Sequence, residues 1–390
     1  MGLLYRTGGI VVNTYMERNK KIIIGVSIAL GVIALGLGAY VAWRNRAIVA
    51  DIITDISGGV IRPLESKQER LRIISSREVS GYWMVTATSA PALMYADGEG
   101  NILRVDEAGD ELVYERSIPN IATVRPSFDG SRVFVESKGA GGSVFRLFDA
   151  IERLPGVTLE GVSEVTWAPT GTDAAYFVTA GDSMRLRIQT ADVIGLSDSA
   201  KFSEIVQVPQ NDFTMAWPQN DVLYMMQRPS AEHVSDMWRV DLKTKNIRKF
   251  LSDRGLMVRW APFGTRALKF TTTEGRAHKL ALIDDQGVEQ AVIKFITLPD
   301  KCVITSPTQM YCAIPRDQDA FAKLTLPDDY MKREAYVSDG IYQIDIANNG
   351  IRAIYEEDIR AIDAINLTVL EDRIVFVNRY DRKLYSLTLQ

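Results

Sequence analysis

Catalytic equipment is what this 390-residue chain has least of. It carries two histidines and two cysteines, and neither histidine (His233 in RPSAEHVSD, His278 in GRAHKLALID) has a recognisable partner in sequence. No G-x-S-x-G elbow, H-E-x-x-H pair or P-loop occurs, so the motif-borne hydrolases, zinc peptidases and NTPases find no support. Two thiols and two distant imidazoles do not make up a metal site, and neither a metal nor a cofactor is expected. The formal net charge is −4 and no basic stripe runs along the chain, which argues against nucleic acid as a partner. Low-complexity tracts are absent, and beyond residue 70 no long amphipathic helix interrupts the pattern. What is present has the composition of a folded protein, 46% hydrophobic and 24% charged, punctuated throughout by 28 glycines and 14 prolines.

The long apolar run is at the N-terminus. Residues 22–43, IIIGVSIALGVIALGLGAYVAW, form an uncharged stretch of 22 residues. A helix rises ~1.5 Å per residue and needs about 20 residues to cross the hydrocarbon core, so the run predicts a transmembrane helix. A cleavable signal peptide is the rival reading, because it too has a basic start. Its apolar region is usually about 7–15 residues, however, and no clear A-x-A-like site precedes Arg44. Arg6, Arg18, Lys20 and Lys21 lie before the run, whereas Arg44 and Arg46 follow it with Asp51 and Asp55 close behind. The positive-inside rule then places 1–21 in the cytoplasm and the rest of the chain outside, as a single-pass protein of the cell membrane. Tyr40 and Trp43 suit the outer interface. Met16, directly before ERNKK, is an alternative start that leaves this topology unchanged. Residues 44–69 read as a polar, partly helical linker containing SGG at 57–59 and Pro63.

From residue 70 the chain changes to short strand-like runs with period-two alternation, and it repeats itself. One phrase occurs as VRPSFDGSRVFVE (124–136), VTWAPTGTDAAYFV (165–178), MAWPQNDVLYMM (215–226) and VRWAPFGTRALKFT (258–271). Fainter copies are TATSAPALMYA (86–96), VITSPTQMYCAI (303–314) and INLTVLEDRIVFV (365–377). A second series trails it: NILRVD, VFRLFD, RLRIQT, MWRVDL, KLALID, IYQIDI and LYSLTL, with an aspartate recurring at 106, 149, 241, 284 and 345. A unit of roughly 40–60 residues holding about four short strands is one blade of a β-propeller. In the first phrase a strand ends at an aromatic, proline and glycine make the turn, and the next strand is apolar on both faces because neighbouring blades enclose it. The second series is the third strand, closed by an aspartate that favours the turn into the fourth. Both series count to seven blades. Six is the alternative, because the first copy is degenerate. The last copy runs out after three strands, and RLRIIS (70–75) is expected to supply its missing outer strand, joining the two ends of the 70–390 domain and removing a sheet edge.

Trp167, Pro169 and Gly171, then Trp260, Pro262 and Gly264, with Pro126 to Gly130 next, resemble the TolB-like and WD40-like propeller signature, roughly W-S-P-D-G-x-x-I-A-F. The resemblance covers approximately 70–390. Only Asp129 keeps the aspartate of the signature, and several copies lack the glycine. It implies an all-β propeller of a kind found in periplasmic and cell-surface binding proteins and in the propeller halves of some peptidases. No hydrolase domain is expected after the last repeat.

Cys302 and Cys312 are ten residues apart in KCVITSPTQMYC. If SPTQ is a hairpin turn they face one another, and outside the cytoplasm such a pair can oxidise. Two buried free thiols are the other possibility. The DGEGN run at 97–101 offers oxygen ligands but reads as a hairpin turn. Asp328, Asp329, Glu356, Glu357 and Asp358 can in principle pair as acid and base, although acidic turn residues are common. The most unusual segment is PRDQDAFAKLTLPDDYMKREAYVSDG (315–340), which interrupts the sixth repeat between its second and third strands. Loops on a rigid scaffold tend to carry function, so its Phe321, Asp328, Asp329, Tyr330, Lys332, Arg333 and Tyr336 are the expected contact residues, with His233 on the same rim in the fourth repeat. Packing over the blade edge is the structural alternative. Two functions are open: a membrane-anchored extracytoplasmic module binding a protein, peptide or glycan of the envelope, and a propeller enzyme of lyase or glycosidase type with carboxylates in its channel.

Overall fold

The computed structural model describes residues 70–389, apart from 107–108, 115–117, 140–141, 182, 191–201, 210–211, 275–276, 349 and 357–359. Residues 22–43 lie outside the described residues, and among those described no helix is long and apolar enough to cross a membrane.

Seven antiparallel four-stranded sheets make up the structure. Blades 1 to 6 each use four consecutive strands: Val79–Tyr114, Ile121–Leu159, Val162–Val208, Phe213–Arg254, Met257–Ile293 and Cys302–Tyr355. Blade 7 takes Ala364–Leu370, Arg373–Asn378 and Leu384–Thr388, and its outer strand is Leu71–Ile73. Leu71, Arg72 and Ile73 pair with Leu387, Ser386 and Tyr385. The fold is all-β and seven-bladed; the worn first copy forms a complete sheet of its own, which excludes six blades.

Burial explains why the phrase repeats. The second strands are the most enclosed: Met94, Tyr95 and Ala96 in blade 1, Val133, Phe134 and Val135 in blade 2, and Ala267, Leu268 and Phe270 in blade 5 are all nearly inaccessible. Each of the larger of these side chains contributes roughly 1.5–3 kcal/mol, and each alanine less. The core is therefore spread over the seams between blades, and the aromatic ending the first strand closes two of them. Trp167 stacks on Phe134 of the preceding blade and Trp260 on Tyr224, each pair 4.6 Å between centroids and 24° between planes. Two of the turn glycines abut the preceding blade as well. A Cβ on Gly130 would lie 1.7 Å from Met84 O, and one on Gly264 2.1 Å from Pro218 O, both at positive φ. The recurring aspartates hold the third-to-fourth-strand turns. Asp149 Oδ1 accepts from the N–H groups of Ile151 and Glu152, Asp241 Oδ1 from Lys243 and Thr244, and Asp345 Oδ1 from Ala347 and Asn348.

Because strand direction alternates within a blade, the turn between second and third strands lies on the same face as the start of the innermost strand. This is called the mouth face below. Arg70, where the described chain begins, is on the opposite face: its carbonyl accepts from Thr388 N beside the first turn of blade 7.

Candidate ligand-binding face

The connection between second and third strands is short in most blades and long in blade 6, where residues 316–338 form an excursion with two short helices, Gln318–Ala322 and Asp328–Met331. Asp317 caps the first helix, its Oδ1 accepting from Ala320 N at 2.8 Å. The excursion is fastened to three other blades. Thr272 Oγ1 of blade 5 donates to Leu326 O at 2.8 Å, and His278 Nε2 is 3.2 Å from Ala322 O. Asp328 Oδ2 accepts from Ala231 N of blade 4 at 2.6 Å. Arg379 of blade 7 donates to Tyr330 O at 3.0 Å and Ala335 O at 3.2 Å. Burial holds the His278 imidazole below its ordinary pKa, as befits a packing residue.

The structure separates the expected contact residues into an inside and an outside set. Phe321 and Tyr330 are 1% and 6% exposed. Phe321 belongs to the core cluster that includes Leu298, Cys302 and Leu326, so neither ring is presented to a partner as the sequence suggested. Asp328 and Asp329 serve the backbone, Asp329 Oδ2 accepting from Thr325 N at 2.8 Å. Lys332, Arg333 and Tyr336 face outward, and so does His233. Tyr336 stacks on Tyr380 of blade 7 at 5.4 Å. Glu356 accepts a hydrogen bond from Tyr342, whereas Glu357 and Asp358 lie outside the described residues. The DGEGN segment is a hairpin turn whose Asp97 Oδ1 accepts from Glu99 N and Asn101 N. Cys302 and Cys312 are directly opposed in the register of blade 6, Cα atoms 4.1 Å apart, with their sulfurs joined.

Beneath the excursion, at the seam of blades 6 and 7, is a buried ionic cluster with no signal in the linear pattern. Lys301 Nζ lies 2.7 Å from Asp339 Oδ2, 2.6 Å from Asp363 Oδ1 and 2.9 Å from Tyr330 OH, and all three charged side chains are 0% exposed. Arg379 Nη1 is 2.8 Å from Asp363 Oδ2 and its guanidinium lies 3.8 Å above the Tyr330 ring. Burial works against the Lys301 ammonium, yet Asp339, Tyr330 and Asp363 raise its pKa above the ordinary lysine value, so it stays charged. Burial pushes the Asp339 carboxyl up, with Lys301 acting against it. Two cations and two carboxylates make a neutral knot that ties excursion to scaffold.

The channel mouth beside this knot holds a cavity of about 570 Å³, within the span of small-molecule and peptide sites. Its floor is apolar and comes from the starts of innermost strands: Val79 of blade 1, Ile121 and Ala122 of blade 2, and Ile365 of blade 7. Its rim is cationic, with Lys138 from blade 2, Arg333 from the excursion, and Arg379 and Arg382 from blade 7. No aspartate or glutamate is among the lining residues. Of the expected contact residues, Arg333 and Tyr336 line it and the others do not. Lys138, Arg379 and Arg382 escaped the sequence reading because they come from separate repeats and make no local pattern. Deeper in the ring, Glu164 Oε2 is 3.0 Å from Arg125 Nη2; burial raises its carboxyl to about 7 despite that guanidinium. Among the described residues no group of three or more His, Cys, Asp or Glu is placed to hold a metal ion.

No protein-family model and no curated protein matches the chain. Solved structures do. The β-propeller domain of Cps50 (Swd1) from Myceliophteria thermophila superposes with a TM-score of 0.51 at 10% identity, over 82% of this chain and 100% of that one. Kuenenia stuttgartiensis hydrazine synthase gives 0.48 at 14% identity, over 70% and 78% of the two chains. The tricorn protease gives 0.48 at 10%, with 85% of this chain matched to 35% of that one. The first likeness shows the fold. It is a seven-bladed propeller.

Proposed function

We propose that this protein is a membrane-anchored propeller that binds a protein partner of the cell envelope on its mouth face. The observation that carries the reading is the blade 6 excursion: it spans blades 4 to 7, is pinned from below by buried residues, and leaves Arg333 and Tyr336 outside at the rim of the cavity, with Lys332 exposed beside them in the chain. A rigid face with one ligand-sized concavity is what a scaffold offers a partner. Propellers commonly serve as protein-interaction scaffolds, and that general property supports the reading. The 22–43 run supports the anchor, and the chain enters the ring at Arg70 on the face away from the cavity.

The test is site-specific photocrosslinking of the full chain in the cells that make it. A crosslinker at Tyr336 is expected to trap a protein adduct. One at Phe128, 68% exposed on the opposite face, is expected to trap none. Protease added outside intact cells is expected to degrade the propeller. Adducts equal at both positions sink the binding face, and a propeller protected in intact cells sinks the extracytoplasmic placement.

A propeller enzyme working through channel carboxylates would draw on Glu164, whose raised pKa suits a proton donor near neutral pH. Glu164 is not among the residues lining the mouth cavity, so the binding reading has the better geometry.

A further inference from the structure

The rim of the mouth cavity is not balanced in charge. Arg379 is committed to Asp363, Tyr330 O and Ala335 O, and acts as a wall. Arg382 has Glu78 at 3.4 Å. The side chains of Lys138 and Arg333 have no ion-pair or hydrogen-bond partner among the described residues, and both are exposed. They come from blades 2 and 6, with blades 7 and 1 between them, so they stand apart around the opening and do not converge on one point. A single compact anion is held best by donors that converge on it, as in bidentate binding by a guanidinium. Two separated cations over an apolar floor fit an extended ligand that carries more than one carboxylate and an apolar group between them.

The backbone points to the same place. Among the described residues eight non-glycine residues have positive φ, and four of them line this cavity: Asn120 at 55°, Arg333 at 62°, Asn366 at 55° and Arg382 at 56°. A left-handed arginine is unfavourable by itself, and such strain gathers where side chains must be aimed at a ligand. Asn120 and Asn366 add amides beside the floor, able to bond a peptide backbone.

We propose that the mouth cavity binds an acidic peptide segment of the protein partner, with carboxylates toward Lys138 and Arg333 and an apolar side chain on Ile121, Ala122 and Ile365. This rests on the binding reading above and names the chemistry of the partner.

The full 390-residue chain, in mild detergent, is panned against a random heptapeptide display library in parallel with the Lys138→Glu/Arg333→Glu variant. Both positions are exposed, and a cooperative melt checks the fold. The native chain is expected to enrich peptides with at least two Asp or Glu around an apolar residue. The variant is expected to lose that enrichment. The top peptide, labelled with fluorescein, is expected to bind at least tenfold more weakly to the double variant and to Ala122→Trp, which fills the floor without altering charge. Salt is expected to weaken it through screening. Enrichment of neutral or basic peptides, no enrichment at all, or equal binding by the double variant overturns the proposal. Displacement by micromolar citrate or inorganic phosphate at constant ionic strength also overturns it, in favour of a free small anion. Crosslinks at Tyr336 without acidic enrichment defeat this inference alone; crosslinks at Phe128 only defeat the binding face with it.

Discussion

Asp328 Oδ2 accepts a 2.6 Å hydrogen bond from Ala231 N, so a loop that belongs to blade 6 is tied to blade 4 across the blade between them. A carboxylate on an amide is among the stronger hydrogen bonds, roughly 1.5–3 kcal/mol. Asp328→Ala is expected to cost about 1–2 kcal/mol. Amide exchange at Ala231 should quicken while exchange in the Leu71–Ile73 strand stays as it was. Uniform quickening over all blades would show that this tie is not local.

The excursion's two kinds of residue should behave differently. Phe321→Ala removes a fully buried ring from the blade 5–6 core and is expected to cost about 3–5 kcal/mol. Lys332→Ala, at an exposed position, is expected to stay within about 0.5 kcal/mol of the parent. Deletion of residues 316–337 tests the same division on a larger scale. With Phe321, Leu326 and Tyr330 in the core, the same deletion is expected to yield an aggregation-prone or unfolded chain, measured by thermal melting and gel filtration. A deletion variant that melts as the parent does would return those rings to the surface.

Two glycines of the repeated phrase make a matched pair. At Gly264 a Cβ meets Pro218 O at 2.1 Å and φ is +71°, while at Gly171 φ is +78° with nothing within 4 Å. Gly171→Ala is expected to cost about 1 kcal/mol for the backbone conformation alone. Gly264→Ala should cost several-fold more, because the blades must separate to admit it. Equal melting temperatures for the two variants would refute the interblade contact.

Stability should depend on pH through Glu164. Its carboxyl has an ordinary pKa of 4.5 and is raised by burial to about 7 in the fold. Between these values the unfolded chain gives up the proton that the folded chain keeps, so folding stability falls as pH rises from 4.5 toward 7. The loss amounts to a few kcal/mol at most, at about 1.4 kcal/mol per unit. Glu164→Gln is expected to flatten that slope in urea titrations at pH 4.5, 6 and 7.5, and an unchanged slope would remove Glu164 as its cause.

The blades were legible in the sequence because each copy of the phrase solves one local problem. Gly130 and Gly264 must fit under the preceding strand, and Asp149, Asp241 and Asp345 must close a turn. Pairing of RLRIIS with LYSLTL followed from a copy that lacked its fourth strand. The excursion was found as an interruption, but it has no period from which to read inside and outside. Phe321 and Tyr330 therefore looked the same as Tyr336. Lys301, Asp339 and Asp363 meet only because blades 6 and 7 adjoin, and Lys138 and Arg382 line one cavity only because the ring is closed. Such contacts are set by topology, which a linear pattern does not carry.

Leu71 pairs with Leu387, so the two partners are separated by 387 − 71 = 316 residues of chain. At synthesis rates of about 5–20 residues per second, that interval lasts on the order of tens of seconds. For all of it the Leu71–Ile73 strand has an unpaired flank, while the six blades between it and its partner strand are made in turn. The nascent protein then exposes one defined edge, and a single late event both completes the circle and hides that edge.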